Sequence, residues 1–63
     1  MQMSKVYVNI EQLAVRSICY DVNNPTLKYV VKKFCDKVVL VMDTFGKIRR
    51  IKNGTIVTIK GKA

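Results

Sequence analysis

From residue 38 to residue 60 the chain runs through three strand-forming segments separated by two glycine turns, a pattern that suits an antiparallel sheet and little else. Val38–Met42 is apolar at every position, as in a strand covered on both faces. Asp43-Thr44-Phe45-Gly46 follows as a turn, with Gly46 free to take positive φ. Lys47–Lys52 returns as a strand, Asn53-Gly54 is a strong two-residue hairpin signal, and Thr55–Lys60 forms the last strand. A C-terminal β-meander is therefore expected, with Gly61-Lys62-Ala63 fraying beyond it. In its middle strand Ile48 and Ile51 lie three apart, so a regular strand sends them to opposite faces. Either a bulge at Arg49-Arg50 returns both to the core, or the strand is buried on one side with Ile51 at the surface.

The first half reads differently. Lys5–Ile10 alternates, with Val6, Val8 and Ile10 on one face, which predicts a half-buried strand. Ile10, Leu13, Ala14, Ser17 and Ile18 fit a helical stripe, and Asn9 with Gln12 resembles a capping box. Val15, Ile18, Cys19, Tyr20 and Val22 prefer strands, so a short helix is expected to give way to extended chain at Cys19–Val22. Asn23-Asn24-Pro25 breaks the chain. After it Leu27, Val30, Val31 and Phe34 recur at three- and four-residue steps, opposite Lys28, Tyr29, Lys32, Lys33 and Asp36, which predicts a second helix.

The expected fold is thus α+β: one or two short helices packed on a three- to four-stranded antiparallel sheet that ends in the meander. The alternative is a small all-β, SH3-like barrel, reached if residues 13–35 form strands joined by a turn at Asn23–Thr26. Either way, residues 1–63 make one domain. A chain of this length buries only about 60% of its unfolded surface, which leaves room for one core and no enclosed substrate pocket.

Charge is the unusual quantity. Twelve Lys and Arg face four acids, a net +8. Residues 44–63 carry Lys47, Arg49, Arg50, Lys52, Lys60 and Lys62 with no acid, so most of the excess sits in the last third. An uneven excess of this size points to a polyanionic partner rather than to solubility alone. Arginine grips phosphate bidentately and lysine adds a point charge, so a Lys47–Lys62 hairpin is expected to present a basic ribbon to a nucleic-acid backbone. Lys28, Lys32, Lys33 and Lys37 form a second basic patch on the expected helix. Phe45 and Tyr29 are candidates for base stacking, although a core this small has more use for a turn aromatic folded back onto it.

Several classes of chemistry find no support. The chain has no histidine, and Glu11, Asp21, Asp36 and Asp43 form no evident pair, so no catalytic residues are assigned. Two cysteines, Cys19 and Cys35, are too few for a zinc site without histidine, and neither metal nor cofactor is expected. Met1–Lys5 leads straight into strand-like alternation with no signal-length apolar run, which predicts a soluble cytoplasmic protein with reduced thiols. Membrane binding is the weakest option, since the apolar stripe of residues 27–34 is needed by the core. The function expected is that of a nucleic-acid-binding accessory or regulatory protein, contacting DNA or RNA through Lys47, Arg49, Arg50, Lys52, Lys60 and Lys62, with Lys32, Lys33 and Phe45 beside them. The alternative is a small protein-binding modulator, of the kind a virus or plasmid encodes, docking an acidic surface of a host enzyme or polymerase. A homodimer through a sheet edge is a further possibility.

Overall fold

Valine and isoleucine recur in every segment of this chain, and their branched side chains favour a pleated surface. In the computed structural model, which describes residues 5–60, six runs pair as strands. They are β1 (Lys5–Asn9), β2 (Ile18–Asp21), β3 (Lys28–Phe34), β4 (Val38–Met42), β5 (Ile48–Lys52) and β6 (Ile56–Lys60). All pairings are antiparallel, in one sheet of order β1-β6-β2-β3-β4-β5. The sole helical element among the described residues is a 3-10 turn at Ile10–Gln12.

The α+β expectation is therefore overturned. In the first segment, the Asn9 N–H does donate to Gln12 Oε1 at 3.0 Å, but the helix it opens stops after one turn. Arg16 sits at φ 76, in the left-handed region, and the chain leaves the bend as β2. In the second, Val31 pairs with Val41 and Lys33 with Leu40, so the register slips at Lys32. That bulge sets Val31 and Phe34 on the same face although they are three apart in sequence. The helix-like spacing is the spacing of a bulged strand. Asp21–Leu27 closes the β2–β3 turn: Asp21 Oδ1 accepts the N–H groups of Asn23 and Asn24, and Asn24 Oδ1 accepts from Thr26.

Two expectations about the C-terminal strands also change. β5 pairs regularly with β4 from Ile48 to Lys52, so there is no bulge at Arg49-Arg50. Ile51 turns inward and is half-buried, while Ile48 is the residue left 55% exposed. Nor is Asn53-Gly54 a hairpin, because β6 pairs with β1 and β2 and not with β5. The meander is β2-β3-β4-β5. Asn53-Gly54 is instead a corner, closed by Thr55 N–H on Lys52 C=O at 3.2 Å and anchored by Gly54 N–H on Glu11 Oε1 at 2.6 Å.

This corner shapes the whole sheet. β5 and β6 stand four places apart in the strand order, about 19 Å in a flat sheet at the usual strand spacing. Lys52 to Ile56 spans at most about 14 Å even fully extended. The sheet must therefore coil over, bringing β1-β6-β2 against β3-β4-β5. Between them lies the core of Ile10, Cys19, Tyr29, Val31, Val39, Val41 and Val57, with Val8, Leu13, Leu27, Ile51 and Ile59 packed around it. Cys19 and Cys35 are both free thiols, the first buried and the second half-buried. Burial pushes the Cys19 thiol up to about 11, so it is not a thiolate at neutral pH.

Gly54 holds φ +86 with nothing within 4 Å of the place a Cβ would occupy, so a side chain there meets backbone strain alone. Gly54→Ala is expected to cost about 1–2 kcal/mol. For a domain this small, thermal denaturation should show a midpoint lower by roughly 5 °C or more. An unchanged midpoint would mean that the corner does not constrain the sheet.

Candidate functional site

Four residues after Val39, the chain turns a carboxylate inward. The Asp43 side chain is shielded from solvent and accepts three hydrogen bonds from the β4–β5 turn and the strand after it. Its Oδ1 takes the N–H groups of Phe45 and Lys47, each at 2.9 Å, and its Oδ2 takes Arg49 Nε at 2.6 Å. Its backbone carbonyl receives the Gly46 N–H at 3.0 Å. The Arg49 guanidinium, followed by the Lys47 amide, holds the Asp43 carboxyl below its usual range against the opposing effect of burial, and Asp43 in turn raises Arg49. Thr44 Oγ1 ties the turn to β3 by accepting the Lys28 N–H at 2.9 Å. The turn is thus fixed from within, and it carries Phe45 at its tip, 78% exposed.

Next to this tip lies the outer face of β3-β4-β5. Val39 and Val41 are buried, so Val38, Leu40 and Met42 look outward. The register sets Ile18, Val30, Met42 and Ile48 in one row across four strands, all partly exposed. The next row is Lys33, Leu40 and Arg50, and the one after it pairs Val38 with Lys52. Lys33 and Arg50 therefore flank Leu40 from either side, about 10 Å apart, with Lys52 about 7 Å further along β5 from Arg50. No strand residue of this face is acidic.

The expected basic residues divide accordingly. Arg50, Lys52 and Lys33 share the outer face, Lys32 sits at the bulge beside them, and Lys47 is exposed at the tip. Arg49 belongs to the opposite, core-side register and is engaged with Asp43, leaving half of its side chain to solvent. Lys60 lies on β6, in the other half of the coiled sheet, with Nζ 5.3 Å from the Tyr20 ring centroid. Lys62 lies outside the described residues. The two-stranded ribbon expected from Lys47 to Lys62 is not formed, because β5 and β6 are unpaired with each other. Phe45 is exposed rather than folded onto the core, and Tyr29 is the aromatic that is buried, donating its hydroxyl to Asp21 Oδ2 at 3.2 Å. Burial and the neighbouring Asp21 both raise its pKa.

Elsewhere, a cavity of about 150 Å³ lies between Tyr20, Pro25, Thr58, Ile59 and Lys60. It falls well below the roughly 300 Å³ at which ligand pockets begin. Comparison with family models, with curated proteins and with solved structures finds no match to this chain. Among the described residues, no helix is long and apolar enough to cross a membrane.

Two features of the site bear differently on the sequence pattern. The row of Ile18, Val30, Met42 and Ile48 escapes it, depending on pairing partners that a linear pattern does not reveal. Asp43 is legible in principle, since an aspartate three residues before a turn glycine commonly binds the turn's own amides. Its folded-state pKa is depressed, so its contribution to stability is present above the ordinary carboxyl range and lost as pH falls through it, below about 4. Asp43→Asn should lower the melting temperature at pH 7 and flatten the acid limb of stability against pH, measured by thermal denaturation from pH 7 to pH 2. An unaltered acid limb would remove Asp43 from this role.

Proposed function

We propose that this protein is a cytoplasmic nucleic-acid-binding accessory protein that holds the phosphate backbone on the outer face of β3-β4-β5. One observation carries the reading: Lys33, Arg50 and Lys52 converge on a face whose strand residues include no acid, and three of the four acids are engaged elsewhere, leaving Asp36 in the β3–β4 turn as the one carboxylate at its border. Asp43 is consumed by its own turn and Arg49, Glu11 caps the Gly54 amide, and Asp21 closes the β2–β3 turn. Among the described residues the Arg49–Asp43 contact is the sole salt bridge. Unpaired cations at this spacing repel one another, and a phosphate backbone relieves that repulsion while releasing its own counterions.

Phosphate contacts carry no sequence information, so affinity varies little with sequence and steeply with salt. A dimer joined through the β5 edges is disfavoured, because it would bring Arg50 and Lys52 close to their own copies.

Separate substitutions at Arg49 and Arg50 distinguish scaffold from contact. Binding of a labelled oligonucleotide, followed by anisotropy across a salt series, should give a log–log slope of several units. Arg50→Ala and Lys52→Ala should each reduce that slope by about one. Arg49→Ala should chiefly lower thermal stability. No oligonucleotide binding at 50 mM salt or so, with an acidic protein captured instead, would replace this reading with that of a protein-binding modulator.

A further inference from the structure

We infer that the nucleic acid bound by this face is single-stranded, with an unpaired base stacked on Phe45. The inference rests on the phosphate-binding role proposed for the face and extends it to the bases. A polar residue would serve a turn tip at lower cost, since an exposed phenyl ring leaves apolar surface in water. Here Phe45 is 78% exposed, yet the turn that carries it is tied down by several hydrogen bonds. Its own N–H is bound by Asp43 Oδ1, the next residue's N–H by the Asp43 carbonyl, and the preceding Thr44 by Lys28. A ring fixed at its base loses little further freedom when a flat partner covers it.

The chemistry around the ring narrows the partner. Lys47 and Arg49 follow within four residues, and Lys28 is joined to Thr44, so the flanking charges are all positive apart from the shielded Asp43. Behind the tip lies the apolar row of Met42, Ile48, Val30 and Ile18, and behind that the cations Lys33, Arg50 and Lys52. The face thus offers cation, then apolar surface, then cation. Duplex DNA presents phosphates on its outside and keeps its base faces stacked, so it would set charged backbone against the apolar row. A single strand can place phosphates on the cations and turn bases onto Phe45 and Ile48, and base stacking on an aromatic side chain is tolerant of sequence.

The test uses the full chain, fluorescein-labelled oligothymidylate of about fifteen nucleotides, and a duplex of matched length. Because the chain contains no tryptophan, Phe45→Trp adds a single reporter at the tip. The expected result is tighter binding of the single strand than of the duplex. Phe45→Ala should weaken single-strand binding by about 5- to 100-fold while leaving the duplex affinity, the salt slope and the melting temperature unchanged. Phe45→Trp should retain affinity, with its emission quenched by the single strand and not by the duplex. Equal affinity for both forms, or a Phe45→Ala variant that binds the single strand as well as the parent, overturns the stacking inference and leaves the phosphate reading standing. Failure of the parent protein to bind either form at low salt overturns both.

Discussion

Three residues, Asn53 to Thr55, have to carry the chain from an edge strand to one in the interior of the same sheet. They cannot do so across a flat surface, and the coiling they impose decides most of the architecture. It encloses the core, and it turns the outer face of β3-β4-β5 away from that of β1-β6-β2. The corner itself is held by the Gly54 amide on Glu11, a bond between residues 43 apart in sequence. A single glycine in the left-handed region and one carboxylate therefore link the two ends of the domain.

Coiling also sorts the charges. In the linear chain the last twenty residues look like one basic tract, but Lys60 goes with one half of the sheet and Arg50 and Lys52 with the other. Within β5, alternation sorts them again: Arg50 and Lys52 face outward, whereas Arg49 returns to the buried Asp43. One arginine of the Arg49-Arg50 pair thus stabilises the turn that positions Phe45, and its neighbour stands on the face that Phe45 borders. Composition alone treats them as equivalent. The domain has few acids, and three of the four serve backbone amides rather than surface lysines.

The legibility of the sequence tracks the range of the forces involved. β1, β4 and the β4–β5 turn are readable because alternation, an unbroken apolar run and a turn glycine each act locally. β3 reads as a helix because Val31 and Phe34 have helical spacing, and a bulge at Lys32 produces the same spacing on a strand. The spacing of Ile48 and Ile51 suggests a bulge at Arg49-Arg50 instead, where β5 is regular. The all-β alternative requires a turn at Asn23–Thr26, and the backbone does reverse there between β2 and β3. Asn53-Gly54 forms the tight turn its residues favour, yet the strands on either side separate, because β6 finds its partners in β1 and β2. Turn chemistry sets the local bend; burial over the whole chain settles which strands then pair. For the site, the residue types are legible and their grouping is not.

One face of the coiled sheet, and not the basic tail as a whole, is proposed to meet nucleic acid. Amide chemical shifts recorded while oligothymidylate is added to isotope-labelled protein test it most directly. Binding on that face should give a contiguous set of perturbations at Lys33, Leu40, Met42, Phe45, Ile48, Arg50 and Lys52, with Tyr20, Thr58 and Lys60 little changed. Perturbations centred on β6 and β2, or spread evenly over both halves of the sheet, would contradict it.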